Sequence, residues 1–213
     1  MSVTRSPLAA EKNMTTLAHK SFAKRTFTLP LLASSTVAAL RAAPVLIKAL
    51  ANPATSPALR EKIMLAVTSV NDCRYCSWVH TGLALETGVN LDELSHVLDS
   101  STFGQLNERE AIAVLYGKHF ADTLRNPSAE AELALQKNWT VEERAEIMAY
   151  IHAIYFANLS GNSADAWLAR LRGMKVENGH AVAEAIAALV SAPVLAAIRL
   201  QSRRSRPEQM TAL

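Results

Sequence analysis

Only two of the 213 residues are cysteine, seven are glycine, and aromatic residues make up 6% of the chain. So few cysteines exclude a disulfide-stapled small domain, the more so because both lie in the four residues Cys73 to Cys76 and no secretory signal is recognisable. No Gly-rich phosphate loop follows a strand pattern, and no stretch alternates apolar and polar residues with the period of two that a strand needs. No window reaches about 18 apolar residues without a charge, so no membrane-spanning helix is expected. Aromatic residues are not interleaved with the charges of either terminal segment, which argues against a groove for nucleic acid.

What is present favours helix. Half the residues are hydrophobic, enough for a substantial core, and the length exceeds one usual domain without demanding two. Residues 1–60 hold eight Lys or Arg against Glu11 alone, a balance of +7. The remainder holds fourteen against eighteen acids, a balance of −4. We read residues 1–28 as a basic arm, residues 29–201 as one all-α domain, a compact bundle of about 8–10 helices, and residues 202–213 as a basic, frayed tail. A cytoplasmic location is expected, although an Arg- and Ser-containing, acid-poor N-terminus also has the composition of an organellar transit peptide.

Along the chain, Leu31 to Leu50 has helical periodicity, with Leu32, Val37, Leu40, Val45 and Ile47 as expected core and Pro44 expected to kink or divide it. Ser56-Pro57 starts a second helix that runs to about Val70. A third, capped by Asn71 or Asp72, extends to Thr87 with Gly88 as its stop. Asn90 caps a short helix through Leu98, and 100–105 form a turn. Asn107 with Glu110, and Thr140 with Glu143, have capping-box spacing. Ser160-Gly161-Asn162 mark a turn, and two alanine-rich helices at about 179–190 and 193–201 close the domain.

The chemistry concentrates between Glu61 and His80. In a helix capped ahead of Cys73, rotation by roughly 100° per residue places Cys76 and His80 about 60° and 20° from Cys73 in projection. Both thiols and the imidazole then share one face, with Tyr75, Trp78 and Val79 on the packing face. Free N–H groups and the positive dipole end at a helix start favour a thiolate. A histidine of pKa about 6.5 can take or return a proton near neutrality. Glu61, one short turn away on the preceding helix, can face the thiols. His152 on the long apolar helix reads as a core histidine that could also line a pocket. Trp78, Trp139 and Trp167 read as core or interface anchors.

Glu61, eleven residues, Cys73-x-x-Cys76, three residues and His80 resembles the core of the AhpD-like alkylhydroperoxidases of the carboxymuconolactone decarboxylase superfamily. The likeness is tight over residues 56 to 100. It returns in Phe156-Ala-Asn-Leu-Ser-Gly-Asn162 and in the segment from Ala164 to Leu171, similar to the closing helical segment of such proteins. The resemblance implies a redox-active pair in which Cys76 is the peroxidatic nucleophile and Cys73 resolves, with His80 as general base and Glu61 as proton relay and orienter. It implies no cofactor and no bound metal. It further implies a hydroperoxide substrate, a dithiol reductant of lipoyl or thioredoxin type, and a homo-oligomer, trimer or hexamer. Tyr75 stands where some members of that group carry another histidine, and a phenol is a poor base near neutrality. Two other readings are kept: a non-redox lyase of the decarboxylase type with incidental thiols, and a structural oligomer holding zinc on Cys73, Cys76, His80 and Glu61.

Overall fold

The computed structural model describes residues 21–98 and 106–210, with side chains through Ser202. Among these residues there are eight α-helices: α1 (Leu29–Ala51), α2 (Pro57–Asn71), α3 (Arg74–Glu86), α4 (Leu91–Leu98), α5 (Glu108–Asp122), α6 (Ala129–Asn138), α7 (Val141–Leu171) and α8 (Ala181–Met210). The only extended pairing among them is one isolated bridge between Phe22 and Val176. The architecture is all-α, as composition and periodicity require.

Helix α2 is the buried axis. Leu59, Ile63, Leu65, Ala66 and Val67 are all but inaccessible, and the helix packs against α5, α7 and α3. Helix α7 is the second axis, with α1 and α8 laid along it. Charged groups pin the remaining elements. Buried Lys62 reaches Glu110 on α5 at 3.0 Å and Glu93 on α4 at 3.5 Å. Buried Glu146 accepts from the backbone N–H of Ala54 and Thr55 at 2.8 and 3.0 Å, closing the turn between α1 and α2.

Several expectations are corrected. Pro44 does not divide α1, which is continuous from Leu29 to Ala51. Pro44 is exposed, so water can take the carbonyl that the missing N–H leaves free. Val37, Leu40 and Ile47 face solvent, whereas Leu31, Leu32 and Leu46 pack on the core. Ser160-Gly161-Asn162 is no turn but the middle of the 31-residue α7. Its polar groups are spent on neighbours: Asn162 Nδ2 donates to the carbonyls of Arg25 and Asn71, and Ser163 Oγ accepts from the N–H of Phe27. Pro193 likewise lies inside a single helix α8, which runs on through Met210 where a frayed tail is expected. The capping box at Thr140 and Glu143 is present. Asn107 caps α5, but Glu110 turns to Lys62. The turn expected at 100–105 and most of the basic arm lie outside the described residues. Residues 21–28 of that arm are packed, with Thr26 and Phe27 buried.

Helix α1 and the segment Ala181–Ser202 of α8 are, by length and composition, long and apolar enough to cross a membrane. Each contains only two charged residues, Arg41 and Lys48 in one and Glu184 and Arg199 in the other. Both lie against α7 and show solvent an apolar outer face that includes Leu40 and Ile47 on α1 and Val182 and Leu189 on α8.

Candidate functional site

The site is built by a sharp reversal between α2 and α3. Asp72 ends α2 in the left-handed conformation, φ 53° and ψ 48°, which a short polar residue tolerates. Lys24 fixes that corner by donating to the Asp72 carbonyl at 2.7 Å. Cys73 is therefore extended and caps α3 itself, with its Sγ accepting from the N–H of Cys76 at 3.4 Å. The expected cap at Asn71 or Asp72 is thus displaced, and only Cys76 and His80 lie within α3. The two sulfurs are 2.9 Å apart as free thiols, both buried.

This placement makes the cysteines unequal. The hydrogen bond from Cys76 holds the Cys73 thiol below its usual range, helped against burial by the helix-start N–H groups of Cys76 and Tyr75. The same bond to a charged Cys73, with burial, pushes the Cys76 thiol up. Of the two sulfurs, Cys73 is therefore the one that gives up its proton more readily.

Glu61, 1% exposed, directs Oε2 to Nδ1 of His80 at 2.7 Å and accepts from Arg60 Nε on Oε1 at 2.8 Å. Burial alone would raise this carboxyl, but the hydrogen bonds from His80 and Arg60 outweigh it and hold the group below the usual carboxylate range. A Glu61 carboxylate facing Nδ1 keeps a proton on that nitrogen and leaves Nε2 to take or give one.

A cavity of about 370 Å³ lies over the pair. Cys76 and His80 form part of its wall beside Tyr75, Phe156 and Gly161, and Val190, Val194 and Ile198 of α8 roof it. Cys73, 1% exposed, lies behind Cys76 and does not line it. Glu61 and His80 are thus brought together, and Cys76 and His80 share a cavity wall, with no hydrogen bond between the imidazole and either sulfur. Among the described residues no three His, Cys, Asp or Glu side chains converge to hold a metal ion, so the tetrahedral set Cys73, Cys76, His80 and Glu61 is not assembled.

Tyr75 does not stand in for an imidazole. Its hydroxyl donates to Asp165 Oδ1 at 2.8 Å and accepts from Arg74 at 2.8 Å and Arg199 of α8 at 2.6 Å. Trp78 is 40% exposed and so is not a core anchor. His152 packs edge-on against Phe120 with centroids 5.3 Å apart and lies outside the cavity lining.

Sequence reasoning missed Arg60, the α8 roof and Gly161. Gly161 lies in a Ser-Gly-Asn run whose composition favours a turn. A methyl group at Gly161 would come within 3.0 Å of Cys73 Sγ and 3.2 Å of the Tyr75 ring. Neither neighbour can yield, since one caps a helix and the other is held by three polar partners. Gly161→Ala is expected to cost about 1 kcal/mol net, overpacking outweighing the gain in helix propensity, and to slow disulfide closure severalfold. Urea denaturation and stopped-flow oxidation would measure the two effects.

The model of the carboxymuconolactone decarboxylase family matches residues 37–116. That span includes Glu61, Cys73, Cys76 and His80 and ends before α7 and α8. Neither the curated proteins nor the solved structures contain a match to the chain.

Proposed function

From a chain that carries a carboxymuconolactone decarboxylase family domain at residues 37–116, we propose a thiol-dependent hydroperoxide reductase of the AhpD-like type. The observation that carries this reading is the buried thiol pair, 2.9 Å apart, with one sulfur on the wall of an apolar cavity shared with His80.

Exposure supports Cys76 as the attacking sulfur. Cys76 meets substrate, while Cys73, whose thiolate forms the more readily of the two, lies 2.9 Å away as its proton acceptor. As Cys76 Sγ attacks the terminal oxygen of a hydroperoxide, its proton passes to Cys73 and the O–O bond breaks. Cys76 becomes a sulfenic acid, and protonated His80, oriented by Glu61, gives the leaving alkoxide its proton. Cys73 then displaces water from the sulfenic acid to form the disulfide, and a dithiol reductant returns both thiols.

The test is coupled turnover. With an organic hydroperoxide and a small dithiol, the protein should consume one dithiol per hydroperoxide reduced to alcohol. Absence of turnover, or turnover insensitive to alkylation of both cysteines, would remove the reading and favour a lyase in which the thiols are incidental. The apolar outer faces of α1 and α8 support a homo-oligomer, which sedimentation velocity would test.

A further inference from the structure

Three cavities lie along the seam between α7 and α8. The thiol cavity of about 370 Å³ shares Leu195 with a groove of about 410 Å³. That groove shares Leu168 and Arg199 with a third pocket of about 270 Å³. Apolar side chains dominate the first two. The third is different: Lys24, Arg74, Arg172 and Arg199 surround it, with Asp165 as its one carboxylate.

The ion pairs leave charge over. Lys24 is paired with Asp72 at 2.8 Å, Arg74 with Asp165 at 2.6 Å, and Arg199 approaches the same Asp165 at 3.9 Å. Arg172 has no ion-pair partner among the described residues. Four cations thus face two carboxylates. Arg199 directly follows Ile198, which roofs the thiol cavity, and a rise of about 1.5 Å per residue keeps the cationic pocket within one helical turn of it. Tyr75 joins the two directly, its ring on the cavity wall and its hydroxyl bonded to Arg199.

A path that is apolar from the thiol outward and cationic at its far end fits one chemistry. We propose that the hydroperoxide is an amphipathic acid, as a peroxidised fatty acid is, with its apolar segment along α8, its hydroperoxide at Cys76, and its carboxylate held by Arg172 and Arg199. This rests on the peroxidase reading for its chemistry, though not for its binding. Guanidinium groups suit the task because their planar donors match a carboxylate and they stay charged. A cationic patch that served only an acidic protein partner would not need an apolar path leading into it.

The experiment compares a peroxidised fatty acid, below its micelle concentration, with its methyl ester, using an uncharged dithiol as reductant. The wild-type protein should favour the acid in kcat/KM. In Arg172→Gln and Arg199→Gln the acid-to-ester ratio should fall roughly tenfold, the size of one screened charge-assisted contact, chiefly through KM. A second arm titrates the unperoxidised acid and ester into Cys76→Ser protein, so that failure of all peroxide turnover still leaves the carboxylate site decidable. Tighter, salt-sensitive binding of the acid, weakened in the Arg172 variant, supports the proposal. Equal binding of acid and ester, or an acid-to-ester ratio that both arginine variants leave unchanged, would overturn it.

Discussion

Cys76→Ser protein is expected to reduce hydroperoxide no faster than background, a loss of at least about a thousandfold, because serine offers neither a thiolate nor an oxidisable sulfur. Cys73→Ser should behave differently. Its Cys76 still reaches the cavity, so one equivalent of peroxide is consumed and a sulfenic acid accumulates that dimedone traps. Removing Cys73 also removes the charge that pushes the Cys76 thiol up, so Cys76 should alkylate faster at neutral pH in Cys73→Ser than in the wild type. Iodoacetamide kinetics would read this directly. If Cys73→Ser consumed no hydroperoxide at all while Cys76→Ser consumed one equivalent, the roles of the two sulfurs would be reversed.

Glu61→Gln carries the second large effect. The amide keeps the shape but cannot stabilise a protonated His80, so proton delivery to the alkoxide suffers and kcat should fall about a hundredfold. Stability changes with it. The Glu61 carboxyl titrates below its ordinary value of 4.5 in the folded protein, so the unfolded chain binds its proton at a pH where the folded chain does not. Its contribution is therefore complete above that ordinary value and is lost as pH falls through the lowered folded one. Urea midpoints followed from pH 7 downward should decline through this window in the wild type and lack that component in Glu61→Gln. At pH 7 the variant should be less stable by about 3 kcal/mol, since Arg60 and His80 lose their shared carboxylate.

How much of this was legible in the sequence depends on whether a feature is local. Helix starts that rest on one side chain and its neighbours, Ser56, Asn107 and Thr140, could be read from order alone. The Glu61 to His80 contact was legible only through the family resemblance, since the short reversal between the two helices by itself pointed Glu61 at the thiols, whereas its carboxylate meets His80. Three features were not legible. Gly161 and Asn162 look like turn residues, yet the close approach of Cys73 and the carbonyls of Arg25 and Asn71 keep them helical. Val37 and Leu40 have the periodicity of core residues, and periodicity says only that a face is apolar, not what covers it. The cap at Cys73 depends on Asp72 adopting the left-handed conformation, a backbone choice that spacing does not encode. That last difference alters the chemistry, because it makes Cys73 rather than Cys76 the more readily ionised thiol.

The central claim is that this pair takes oxidising equivalents from a hydroperoxide. Mass spectrometry of the peptide spanning Cys73 to Cys76, before and after one equivalent of organic hydroperoxide, tests it most directly. The account requires that the peptide lose two hydrogens as the disulfide closes, and regain them on addition of a dithiol. A peptide that keeps both thiols while hydroperoxide is present would contradict it.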